Sequence, residues 1–170
     1  MRLALASLLA VFVNQPSYAF DFKGIVLGQP ATVAQVEEKL GIRCGAGIDS
    51  IQVCNGGVTI AQERATVNLV INDQGVVRRI NLSLSPESFD VVAPLLIEKF
   101  GAPTATTKGE LQNRMGAKFE QTTHLGKDDQ ENHVLYSRYA GTVDKSFLSF
   151  TTKEDRGLLA NLRGNRRSDL

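Results

Sequence analysis

The sequence predicts an α+β fold: an antiparallel sheet with helices packed on one face, and a candidate tandem repeat of a helix plus about three strands. Three observations in the stretch from Ala65 to Gly101 predict it. First, Ala65, Val67, Leu69 and Ile71 alternate with Thr66, Asn68 and Asn72, with Val70 the exception, and a period of two marks a half-buried strand. The next strand places Val76, Ile80, Leu82 and Leu84 on one face, broken by Arg78, and Val77, Arg79, Asn81 and Ser83 on the other. Second, Asn72-Asp73-Gln74-Gly75 lies between them; Asn and Asp bond their own backbone, and Gly75 accepts the positive φ that such a hairpin needs. One face then sees a core and the other water, which is the habit of antiparallel sheets. Third, Phe89, Val92, Ala93, Leu96 and Phe100 form a helical stripe.

Ser85 is a good N-cap for that helix, with Pro86 at the first helical position, and Gly101 followed by Pro103 ends it in the left-handed conformation. Pro94 conflicts, since an interior proline costs ~3 kcal/mol. Either the helix kinks there, or it starts near Ser88 with Pro94 in the first turn.

The remaining elements follow in chain order. Met1-Arg2, the apolar run Leu3 to Val13 and the small-x-small Ser17-Tyr18-Ala19 make up a secretory signal, with cleavage after Ala19. The apolar run falls well short of the ~20 residues of a spanning helix. No Cys stands beside the cleavage site for lipid attachment. The expected location is periplasmic or secreted, with no integral membrane segment after cleavage. Phe22 to Leu27 reads as a short strand, Thr32 caps a helix to about Leu40 with Val33, Val36 and Leu40 facing inward, and Gly41 ends it. Gly45 to Gly57 reads as a glycine-rich surface loop, and Val58 to Ala61 as a first strand. Ala102 to Met115 is polar and reads as a loop. Ala117 to Leu125, His133 to Ala140 and Ser146 to Thr152 read as strands. Leu158, Leu159 and Leu162 allow one or two helical turns, with the tail expected to be disordered beyond Gly164. The organisation expected is residues 1–19 as signal, 20–101 as a first helix/hairpin unit with the second helix, 102–155 as a second strand unit of the same domain, and 156–170 as a short helix and basic tail.

Two segments repeat at an offset of 60 positions: Val36-Glu37-Glu38-Lys39-Leu40-Gly41 and Leu96-Ile97-Glu98-Lys99-Phe100-Gly101. Each is a helix end followed by a loop and about three strands. The shared order of elements is better evidence for a duplication than the match itself, since Glu-Lys-apolar-Gly is a generic helix C-terminus.

The chain has 19 basic and 18 acidic residues, so charge offers no argument for nucleic acid or for an anionic membrane. Cys44 and Cys54 are the only cysteines. An even count in an exported chain favours a disulfide, worth ~2–3 kcal/mol by loop entropy; a metal pair or redox pair is the alternative, without Cys-x-x-Cys spacing. The glycine-rich loop lacks a Gly-x-x-x-x-Gly-Lys-Ser/Thr pattern, no Ser sits in Gly-x-Ser-x-Gly, and no cofactor motif occurs. The only histidines, His124 and His133, flank an acidic turn; if their strands pair, they and Asp128 are weak candidates for a metal or acid–base group, against a plain reading as strand-end residues. Arg78, out of place on the apolar side, and Arg79 and Asn81 on the other are candidates for a partner-facing surface.

The run Gly24-x-x-x-Gly28-x-x-x-Thr32-x-x-x-Val36-x-x-x-Leu40-Gly41, followed by a hairpin with Asp-x-Gly and an Ile-x-Leu second strand, resembles small bacterial envelope modules of the beta-lactamase inhibitor protein-like and small outer-membrane-assembly lipoprotein-like α/β type. The resemblance is carried over residues 22–101 and implies the fold more than the function. The functional expectation is an exported, non-catalytic module that binds an envelope or secreted protein; the alternative is a periplasmic hydrolase or metal-binding protein using the His124/His133 region.

Overall fold

Turn chemistry and alternation set the order of elements. The computed structural model describes residues 19–168; the signal-peptide reading of residues 1–18 lies outside the described residues. Two short strands, β1 (Asp21–Phe22) and β2 (Ile25–Val26), form a small hairpin turned through Lys23 and Gly24, both at positive φ. Helix α1 (Val33–Leu40) starts at Thr32, where a capping box with Gln35 satisfies two backbone groups, and ends on Gly41 at φ 66°. Val36 and Leu40 are its buried residues.

A single antiparallel sheet of eight strands follows. Strands β3 (Arg43–Ala46), β4 (Gln52–Ile60), β5 (Glu63–Ile71) and β6 (Val77–Leu84) form one meander. Helix α2 (Ser88–Phe100) intervenes, and β7 (Ala105–Gln112), β8 (Lys118–Lys127), β9 (His133–Ser137) and β10 (Ser146–Thr151) form the second. The order is β3-β4-β5-β6-β10-β9-β8-β7, so the last strands of the two meanders pair at the centre. The sheet therefore has an approximate two-fold about the β6–β10 seam, where Leu82 faces Leu148 and Asn81 faces Ser149. Each meander follows a helix, so the element order read from the sequence recurs, with four strands per unit where about three were expected.

The core lies on one face. The cross-strand row Cys54–Leu69–Ile80–Phe150–Val134 and the row Val67–Leu82–Leu148–Tyr136 are buried throughout. The hairpin turn forms as expected: Asn72 Oδ1 accepts from the Gln74 and Val76 amides, and Gly75 has φ 78°. A bulge shifts the register so that Ile71 faces Val77 and Val70 faces Arg79. The bulge resolves the odd position of Arg78, which is the extra residue, and it returns Val77 to the buried side.

Several expectations are corrected. Residues 45–57 are not a loop: β3, one 3₁₀ turn at Ile48–Ser50 and most of β4 lie there, clasped by the Cys44–Cys54 disulfide between directly opposed positions. Glycines at 45, 56 and 57 hid the alternation. At Gly56 a Cβ would lie 2.7 Å from Ile42, so the missing side chain allows that close approach. Residues 105–112 are also a strand, and it is an edge strand exposed on almost every residue, which leaves no apolar period to read. Helix α2 has Glu87, not Ser85, at its N-cap position, and Pro94 lies inside it; Ser85 and Pro86 instead form the preceding turn. Gly101 has positive φ but extended ψ, 177°, so it is not a left-handed cap. Phe89 packs on Tyr136 and Phe100 meets Phe20 and Phe150, so α2 lies on strands of the second meander as well as its own lead-in. Finally, α3 (Lys153–Ser168) runs past Gly164 and starts three residues before the boundary drawn at 156. Its first turn is nucleated by the Thr152 hydroxyl, which accepts from the Asp155 amide, and by ion pairs to the sheet.

Candidate functional site

The face of the sheet opposite the core is covered at one end by the first turn of α3 and carries a continuous row of side chains. Its central row crosses all eight strands: Arg43, Asn55, Asn68, Asn81, Ser149, Leu135, Leu125 and Ala105 stand opposite one another in turn. In the first meander the middle of this face is polar and the side chains bond each other: Asn68 Nδ2 donates to Asn55 Oδ1 at 2.8 Å, and Ser149 Oγ donates to Asn81 Oδ1 at 2.7 Å across the seam, while Val53 and the buried Val70 oppose each other beside them. In the second meander the same face carries Leu111, Phe119, Leu125, Leu135 and Phe147, all half-buried, and Phe119 meets Tyr139 edge-to-face at 5.9 Å. The Thr123–Ser137 hydroxyl pair at 2.8 Å and the exchange of bonds between Gln121 and the Tyr139 backbone hold the strands beneath them. Half-exposed apolar side chains grouped on one strand surface, with satisfied polar groups among them, suit contact with another macromolecule.

The residues proposed from sequence fall in different places. Arg78 and Arg79 are not open: Arg78 pairs with Glu154 at 3.1 Å and Arg79 lies 3.4 Å from Asp155, so both tie the first turn of α3 to the end of β6. Burial pushes the Asp155 carboxyl up against the opposing pull of Arg79 and Arg78. Asn81 lies on the open face, half-buried in the seam.

His124 and His133 are not brought together. Alternation puts His124 opposite Tyr136 on the core side and His133 opposite Lys127 on the open side. Asp128 turns inward on its own loop, accepting from the Gln130 and Asn132 amides and from Asn132 Nδ2. Among the described residues no group of three or more His, Cys, Asp or Glu converges as a metal site would require. His124 stacks on Phe89 at 5.5 Å and its Nδ1 bonds the Thr106 hydroxyl; burial lowers its pKa. His133 is lowered too, by burial and then by Arg156 and Lys127. Beside it Glu131 is held at about 2 by Lys127 and Lys153.

A second feature is a small groove between α2 and β8–β9, lined by Phe20, Leu96, Ile97, Phe100, His124 and Tyr136 among others. Its polar groups are few, and burial pushes the Tyr136 hydroxyl up to about 12 against the opposing pull of Ser146. Among its described lining residues no nucleophile is paired with a base.

Sequence reasoning missed Leu111, because residues 102–115 read as a loop; Tyr139 falls inside the strand expected to run to Ala140, but that strand ends at Ser137. Phe119, Thr123 and Leu125 were legible as one side of a strand, though not as the open side. No protein-family model, curated protein or solved structure matches the chain.

Proposed function

We propose that this chain is an exported, non-catalytic module that binds another protein of the bacterial envelope on the open face of its sheet. The single observation that carries this is the cluster of half-exposed apolar side chains on the second meander, with Phe119, Leu135 and Phe147 at its centre. The Cys44–Cys54 disulfide supports export, since such bonds persist in oxidising compartments. The hydrolase or metal alternative loses its geometric basis, because His124 and His133 stand on opposite faces of the sheet.

The test is affinity capture from periplasmic extract with wild-type chain and with Phe119→Ser and Phe147→Ser as baits. A partner enriched by wild type and lost with both variants supports the reading. Equal recovery by all three baits, or no enriched partner under several growth conditions, overturns it. Unchanged far-UV circular dichroism of the variants separates lost contact from lost fold.

A further inference from the structure

The two outer edges of the sheet are related by the approximate two-fold, yet they differ. The β3 edge is four residues long and clasped by the disulfide. The β7 edge is eight residues long and carries no proline or bulge, and its pairing with β8 is unbroken from Ala105 to Gln112. A long, uncovered edge offers a row of unpaired backbone groups to another strand.

Which groups face outward follows from alternation. The Asn113 amide bonds the Ala117 carbonyl, and the Arg138 amide bonds the Thr122 carbonyl. Antiparallel bonds alternate along a strand. Odd-numbered residues of β7 therefore bond β8, and Thr106, Lys108, Glu110 and Gln112 present N–H and C=O to the free edge.

We infer that β7 is a self-association edge: two copies of this chain pair antiparallel through β7 about a dyad at Gly109, joining their sheets into one. The register is set by charge. Outward-bonding residues can pair only with outward-bonding residues. A dyad on Lys108 would place Lys108 opposite itself, and a dyad on Glu110 would do the same with Glu110. The dyad at Gly109 alone places Lys108 opposite Glu110 of the second copy, twice by symmetry, and Thr106 opposite Gln112. Opposite charges in directly facing positions stabilise a strand pair, and like charges oppose it.

Two details fit this register. Within one chain Glu110 stands directly across from Glu120, with Lys118 bridging to it at 2.8 Å, while Lys108 lies in no ion pair among the described residues. The second copy's Lys108 would enter that acidic pair. At the dyad itself, Gly109 has open space where a Cβ would be and brings no side chain to the crossing. Lysine on an edge commonly guards against pairing, but a guard works by repelling its own copy. A lysine two residues from a glutamate is self-complementary instead.

Sedimentation equilibrium of the oxidised full chain over a concentration series tests this. Wild type is expected to be a reversible dimer. Lys108→Glu and Glu110→Lys should each weaken it at least about tenfold by setting like charges face to face, and the double exchange should restore it. Lys108→Pro removes an outward amide and no bond to β8, so it should give monomer with the fold intact. Phe119→Ser should leave the dimer unchanged, which separates this edge from the open face. A wild-type chain that is monomeric throughout, a dimer indifferent to Lys108→Pro, or charge reversals that the double exchange does not rescue would each overturn the inference.

Discussion

Strands β3–β6 and β7–β10 repeat one plan about the seam, and equivalent positions can be compared directly. Opposite Leu82 stands Val67 and then Gly56; opposite Leu148 stand Tyr136 and then His124. On the core side, then, the first half uses small residues that let Ile42 close down on the sheet. The second uses rings, with Phe89 against both His124 and Tyr136. The open side is reversed in character. Asn68 and Asn55 of the first half correspond to Leu135 and Leu125 of the second. The first half bonds its central asparagines on this face and sets Val53 against the buried Val70. The second leaves apolar area half exposed. The two halves share one order of strands and differ in what they place on this face.

The strongest way to break this comparison is at the seam the two halves share. Leu148 is fully buried and faces Leu82. Leu148→Ala is expected to cost about 2–5 kcal/mol, the transfer and cavity cost of a deep leucine. Urea unfolding followed by two probes, one in each half, should show a single shifted transition; separate transitions would mean that the halves fold independently.

Next in size is the disulfide, which belongs to the first half alone. Cys44→Ala with Cys54→Ala should lower stability by about 2–3 kcal/mol through the freed unfolded chain. Cys54 is fully buried. Loss of stability with unchanged partner capture would place the disulfide in the scaffold and not in the binding surface.

Tyr136 sharpens the comparison from the other half, where its equivalent is Val67. Its pKa is pushed up to about 12 from the ordinary 10.0 by burial. The unfolded chain therefore releases this proton first. Stability from the neutral phenol is complete below pH 10 and is lost as pH rises from 10 toward 12, by about 1 kcal/mol at pH 11. Tyr136→Phe should flatten that part of the alkaline limb in a pH series of unfolding midpoints. At pH 8 it should cost no more than about 1 kcal/mol, the worth of the hydroxyl's contact with Ser146.

How much of this was legible varies with the residue. The central hairpin was clear, since alternation, Asn72 and Gly75 all agreed. Strand β7 was hidden because an edge strand with both faces in water needs no apolar period. Strand β4 was hidden because glycine replaces the side chains that would alternate. Arg79 was read as open because the sequence places it on the polar face; only the path of α3 reveals Asp155 beside it. The two histidines looked like a pair because they flank one turn. Their odd sequence separation, nine residues across a hairpin whose partners pair Lys127 with His133, sends them to opposite faces.

The smallest effect separates the two open faces most directly. Asn68 and Asn55 share one hydrogen bond at an exposed position, and an exposed bond of that kind exchanges readily for water. Asn68→Leu should therefore move the unfolding midpoint by less than about 0.5 kcal/mol. It should also leave capture of the partner intact, since the first half contributes polar, internally satisfied groups. Leu135→Asn, at the equivalent place across the seam, exchanges half-exposed apolar area for an amide that the partner would have to desolvate. It should cut capture while the fold persists. If Asn68→Leu instead abolished capture and Leu135→Asn did not, the binding face would lie on the first half, and the asymmetry between the halves would have the opposite meaning.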